Sequence, residues 1–171
     1  MANFAIRIFG DPVLKQRDQE IDELDDSLRR LVGGMFTAMY EAQGAGLAAP
    51  QVGVQKRLFV YDVDEDPKVV INPQIVEMRG EWTYQEGCLS VPGLSWPIVR
   101  PKEVHLTGRD LDGNEISIEG DEMVGRLFQH ELDHLDGILL LERLEPDQRK
   151  EAMKILRARA MGLPDPAPQQ S

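Results

Sequence analysis

Apolar positions recur at helical spacing in three stretches of the chain and at strand spacing between them. From Asp22 onward, Leu24, Leu28, Leu31, Val32, Met35, Phe36 and Met39 follow a 3.6-residue period, with Asp25, Asp26, Arg29 and Arg30 between them. This predicts an amphipathic helix that ends near Gln43 and Gly44. Gly33 and Gly34 lie inside it, cost it intrinsic stability, and suggest close packing against a neighbour. A second helix is expected after Asp121, a candidate N-cap. There Met123, Val124, Leu127, Phe128 and Leu135 form one apolar stripe and Gly137 marks the stop. A third starts at Pro146 and Asp147, runs to about Met161, and packs through Met153, Ile155 and Leu156.

Between the first two helices the pattern turns to strands. Residues 57–63 read as one. Residues 69–78 read as another, and Pro73 within it points to a sheet edge. Residues 81–87 are expected to be extended and 87–93 turn-rich. Residues 103–109 and 114–119 flank Asp112 and Gly113, a hairpin signal. His105 falls opposite Val104 and Leu106 and is expected to face solvent without a role. Residues 1–21 are short apolar pieces broken by the turn at Gly10-Asp11-Pro12. The mixture predicts an α+β fold, with short antiparallel sheets packed around a central helix and further helices towards the N- and C-terminal ends.

Composition narrows the function. The chain has 171 residues, and its 42% hydrophobic content suits one domain with a sizeable core. We place that domain at 1–162 and a disordered tail, rich in Pro and Gln, at 163–171. The net charge of −11 argues against DNA or an anionic membrane as a partner of the whole surface. A local basic face on the third helix (Arg149, Lys150, Lys154, Arg157, Arg159) fits either an ordinary solvated face or a docking site. With one cysteine, Cys88, no intrachain disulfide can form, which suits a reducing compartment. No apolar run approaches the roughly 20 residues of a spanning helix. Residues 1–7 lack a basic start followed by a long apolar core. A cytoplasmic location is expected.

The chemistry concentrates in Gln129-His130-Glu131-Leu132-Asp133-His134, an HExxH pattern on the second helix. Histidines at i and i+4 lie about 40° apart around a helix, so both imidazoles can reach one metal ion. Glu131 is then the candidate general base for an activated water. Three defined residues also fit two hydrogen-bonded core histidines. Cys88 is the natural third ligand, since a thiolate and two imidazoles leave a fourth position open; it also fits a small buried hydrophobe. Residues 44–51, Gly-Ala-Gly-Leu-Ala-Ala-Pro-Gln, form a small-residue loop that tolerates close backbone approach or simply connects helix to strand. Lacking a GK[ST] ending, it is not a phosphate loop.

Three motifs in order give the chain a resemblance to the bacterial peptide deformylases: the Gly44–Gln51 loop, Glu86-Gly-Cys-Leu-Ser90, and Gln129-His-Glu-x-x-His134. The likeness runs from about Ile6 to Leu144. It implies removal of the formyl group from the initiator methionine of nascent peptides, with release of formate. Carried onto matching positions, it makes Cys88, His130 and His134 the metal ligands and Glu131 the acid–base. Gln51 and the backbone N–H of Leu89 become oxyanion donors, and Gly46 a main-chain contact to substrate. It implies Fe²⁺ as the usual ion, with Zn²⁺, Ni²⁺ or Co²⁺ also able to bind. Some members of the family dock near the ribosome exit through a C-terminal helix. Met123 and Leu127, one and two turns before His130, fit the wall of a methionine pocket or plain core. Two other classes also match HExxH, an endopeptidase and a closed zinc-binding module. The module lacks a fourth good ligand, because Asp133 and Asp136 are expected to point away from the metal.

Overall fold

The computed structural model describes residues 4–167. Among these, three α-helices and seven strands follow the order α1 (Asp26–Glu41), β1 (Gly46–Ala48), β2 (Leu58–Val63), β3 (Asp66–Arg79), β4 (Trp82–Cys88), β5 (Val91–Arg100), β6 (Glu103–Arg109), β7 (Glu115–Asp121), α2 (Glu122–Leu135) and α3 (Pro146–Ala160). All strand pairs are antiparallel. One sheet has the order β1-β2-β3-β6-β7, and β4 and β5 form a separate hairpin. The fold is α+β, as the apolar pattern predicts.

Strand β2 shows how the layers arise. Its side chains alternate between two buried faces, as a period of two requires. Leu58 and Val60 pack with Leu28, Val32, Met35 and Met39 of α1. Phe59 and Tyr61 pack with Phe128 and Leu135 of α2. The larger sheet is thus sandwiched between α1 and α2. Phe128 is fully buried, 5.4 Å centre to centre from Tyr61 in an edge-to-face pair, a geometry that adds about 0.5–1.5 kcal/mol beyond burial. A third cluster joins Val91, Trp96 and Ile98 of the hairpin to Leu140, Leu141 and Leu144 and to Ala152 and Leu156 of α3. The HExxH helix therefore has the large sheet on one side and the β4–β5 hairpin on the other.

Several boundaries differ from the sequence expectation. Helix α1 begins at Asp26, four residues later than its apolar period suggests, because the Asp25 carboxylate accepts from the Leu28 N–H and caps it there. Strand β3 is not at an edge. It lies at the centre of the sheet, and Pro73 is tolerated because the pairing with β6 shifts between Ile71 and Gln74. Beside it Asn72 takes φ 50° and its side chain bonds both the N–H and C=O of Ile21. Strand β5 occupies residues read as turn-rich or left unassigned. Its Pro92, Gly93 and Pro97 are compatible with a hairpin strand that pairs on one side only. Gly34 is the close-packing glycine, since a Cβ there would lie 2.3 Å from the ring of Phe4. His105 is half-buried and contacts Ser117 across the β6–β7 pair. Of the expected tail, 168–171 lie outside the described residues. Residues 163–167 carry no helix or strand, and Asp165 pairs with Arg159 at 2.8 Å.

Candidate active site

Helix α2 carries His130, Glu131 and His134, and the end of β4 brings Cys88 against them. The His134 Nε2 lies 3.3 Å from Cys88 Sγ and 3.2 Å from His130 Nε2. One ligand atom from each of the three residues falls within 4.8 Å of the others. A tetrahedral ion with N and S bonds of ordinary length needs ligand–ligand edges of about 3.3–3.6 Å, so the constellation fits one divalent metal. The donor set, one sulfur and two imidazole nitrogens, suits ions of borderline softness such as Zn²⁺ or Fe²⁺. Burial alone would raise the Cys88 thiol, but the adjacent imidazoles of His134 and His130 pull it well below its ordinary value.

Behind these three candidate ligands lies a buried ionic network. The His130 Nδ1–H donates to Glu86 Oε2 at 3.0 Å, which leaves its Nε2 lone pair facing Cys88 and His134. Glu86 also accepts from Arg100 at 2.7 and 2.9 Å and from Arg126 at 2.7 Å. Arg100 goes on to Asp133 at 2.9 Å, and Asp133 to Arg143 at 2.7 Å. Burial would raise the Glu86 carboxyl, but hydrogen bonds from His130 and Arg100 hold it far below the usual carboxylate range. Asp133 is thus engaged away from the three candidate ligands, and Asp136 pairs with Arg57 at 2.9 Å.

On the near side, a cavity of about 360 Å³ takes in Cys88, His130 and Glu131 together with Gly46, Gln51, Leu89, Met123 and Leu127. His134 lies behind it, buried. Gly46 has a reason to lack a side chain: a Cβ there would meet Glu131 Oε1 at 2.8 Å. The Glu131 Oε2 is buried without a hydrogen-bond partner among the described residues, and burial pushes this carboxyl up. Gln51 is oriented from both ends. Its Oε1 accepts from the Ala48 N–H at 2.9 Å and its Nε2 donates to Ser90 Oγ at 3.1 Å. The same Nε2 also points at Cys88 Sγ, 3.9 Å away, so its second amide hydrogen is turned toward the candidate metal site. Met123 is about half exposed at the mouth, and Leu127 is half-buried. Strand β1 ends the large sheet and among the described residues pairs only with β2, so its other edge opens beside the cavity.

Sequence reasoning named Glu86 and Ser90 only as motif positions without a role, and missed Arg100 and Arg126. A signal existed for Glu86. It stands two residues before Cys88 on a strand, where alternate side chains share a face. Nothing local marks Arg100 or Arg126, whose role depends on where other elements bring Glu86.

The family model for polypeptide deformylases matches residues 4–150. A peptide deformylase of Agathobacter rectalis is 50% identical over 145 residues, covering 85% of this chain and 92% of the relative. One of Acidothermus cellulolyticus is 44% identical over 157 residues, covering 92% and 87%. The crystal structure of a peptide deformylase from Legionella pneumophila superposes with a TM-score of 0.88 at 37% identity, covering 94% of this chain and 96% of that one. With the motifs, the fold and these matches in agreement, the chain belongs to the polypeptide deformylase family.

Proposed function

We infer the roles of individual residues from family membership taken together with the cavity. As a member of this family the chain is a metal-dependent hydrolase that removes the N-formyl group from the initiator methionine of nascent polypeptides and releases formate. Cys88 Sγ, His130 Nε2 and His134 Nε2 are assigned as the metal ligands. These residues would hold one divalent ion, which when bound would supply Lewis acidity and lower the pKa of a water toward neutrality. Glu131 takes the proton of the attacking water, and its raised carboxyl suits it to hold that proton. Attack on the formyl carbon places negative charge on the former formyl oxygen, for which the Gln51 Nε2 and the Leu89 N–H are the donors. Glu131 then returns the proton to the methionine nitrogen as the C–N bond breaks, because an amide anion is too basic to leave unprotonated.

The open edge of β1 offers the substrate backbone a strand to pair with, and Gly46 is the main-chain contact. Met123 and Leu127 wall the methionine pocket. The observation that carries this reading is a cluster of three residues able to ligate a metal, Cys88, His130 and His134, of which the first two line one cavity with the buried Glu131 beside the outer edge of β1.

The test is formate release from formyl-Met-Ala-Ser by protein purified without oxygen and loaded with Fe²⁺ or Ni²⁺. Rapid release, lost in Cys88→Ser, supports it. No release, or cleavage of casein with the formyl peptide left intact, overturns it.

Fe²⁺ is our choice of physiological ion, with Zn²⁺, Ni²⁺ and Co²⁺ compatible with the same ligands; metal analysis of anaerobically purified protein decides. We place the protein in the cytoplasm, where nascent chains emerge. Among the described residues no helix is long and apolar enough to cross a membrane. The exposed Arg149, Lys150, Lys154 and Arg157 of α3 are assigned as a ribosome-facing surface near the exit tunnel. Unchanged co-sedimentation after neutralising the first three would remove that assignment. The catalytic domain is placed at residues 1–162.

A further inference from the structure

Outside the residues given roles above, the most demanding group is Asp18. Its backbone N–H donates to the Leu135 carbonyl at 2.9 Å, which pins it beside the last turn of α2, one position past His134. Its side chain is 3% exposed, and neither carboxylate oxygen has a hydrogen-bond partner among the described residues. In the nearby Arg57, Nη1 is directed elsewhere, 3.0 Å from the Leu135 carbonyl and 2.9 Å from Asp136. Burial pushes the Asp18 carboxyl up to about 7, against the opposing pull of the Arg57 and His134 charges, with Asp136 adding to the rise.

His134 presents the complementary problem. With its Nε2 assigned to the metal beside Cys88 and His130, the neutral ring carries its hydrogen on Nδ1. That Nδ1 is buried and also has no partner among the described residues. Asp18 is pinned to the residue that follows His134, and the buried acceptor and the buried donor, each unmatched, each cost about 1–3 kcal/mol if left unsatisfied. Buried polar groups are rarely left so. The other histidine shows the arrangement solved, with Nδ1–H on the Glu86 carboxylate.

We propose that Asp18 is a positioning residue for His134, its carboxyl group accepting the Nδ1–H across one buried water, the counterpart of the direct bond that Glu86 makes to His130. Both imidazoles would then be locked in the tautomer that turns Nε2 toward the metal, one from the hairpin side and one from the segment that precedes α1. This deepens the reading given under Proposed function and rests on its metal site.

The experiment measures Zn²⁺ affinity by chelator competition in the parent protein, Asp18→Asn and Asp18→Ala, and the His134 Nδ1–H signal in the Zn²⁺-loaded proteins by NMR. Loss of such a partner typically lowers metal affinity about 10–100-fold. That loss is expected in Asp18→Ala and a smaller one in Asp18→Asn, which keeps one acceptor oxygen. The His134 signal should move in Asp18→Asn while that of His130 stays. A general structural defect would move both rings alike. If Asp18→Ala does not fold, Asp18→Asn, which is nearly isosteric and buries no charge, carries the comparison. Unchanged affinity together with an unmoved His134 signal overturns the proposal. No Zn²⁺ binding by the parent protein overturns the metal site and this proposal with it, whatever formate release shows.

Discussion

Glu131 is held by its surroundings more than by partners. Its carboxyl is buried, Oε2 makes no hydrogen bond among the described residues, and Oε1 lies 2.8 Å from where the Cβ of any larger residue at position 46 would be. A carboxylate in that state can gain and lose a proton without first breaking a strong bond. Glu131→Ala should retain its metal and lose about 10²–10⁴-fold in kcat/KM, the usual worth of a positioned acid–base. Metal analysis and formate release measure the two separately, and near-parent turnover would remove Glu131 from the mechanism. Gly46→Ala tests the same contact from the other side. Its Cβ would sit 2.8 Å from Oε1 and displace the carboxylate, and a shift of an ångström at a reacting group can cost about 10²-fold. We expect that loss with folding intact, read as turnover against an unchanged circular dichroism spectrum.

At the scale of elements, α2 matters because it is two-sided. Phe128 and Leu135 face the large sheet, while Arg126, His130 and Asp133 reach the hairpin or its ionic network. Glu86 is the node that joins hairpin and helix. Glu86→Gln leaves Arg100 and Arg126 buried with too little negative charge. It should lower stability at pH 7 by about 3–5 kcal/mol, measured by urea unfolding of metal-free protein. The pH dependence follows from linkage. The folded value of Glu86 lies far below its ordinary 4.5, so its contribution is present in full above that value and is lost as pH falls through the folded one. The gap between parent and variant should hold from pH 7 to pH 5 and shrink below about 4.5. A gap that ignores pH would show that the Glu86 charge does not stabilise the fold.

For the whole molecule, the question is how much chain the catalytic unit needs. Helix α3 buries Ala152 and Leu156 against the hairpin cluster, so it is part of the packed body. Beyond it, Asp165 meets Arg159 in a pair whose side chains are 45% and 31% exposed. Such surface pairs are worth about 0–1 kcal/mol. A chain ending at Gly162 should therefore keep its formate release and lose no more than about 1 kcal/mol of stability. A larger loss would place the residues after 162 inside the folding unit.

The sequence by itself determined what is local. Periodicity located α1, α2 and α3 to within a few residues, because one buried face of a helix imposes its spacing on the chain. The i, i+4 histidines were legible for the same reason: helix geometry alone puts them on one face. The Asp112-Gly113 hairpin was legible because its turn chemistry is local. What depended on distant partners was not readable from the residues. Pro73 looked like an edge signal, yet β3 is central, since the irregular pairing with β6 absorbs the proline. Strand β5 was hidden by its prolines and glycine, tolerated because it pairs on one side only. The meeting of Cys88 with the histidines joins residues more than 40 positions apart, and no spacing rule links a hairpin to a helix. The network of Glu86, Arg100 and Arg126 and the unmatched pair of Asp18 and His134 have the same origin. Burial and partnership are properties of packed surfaces, and only the tertiary structure decides which surfaces meet.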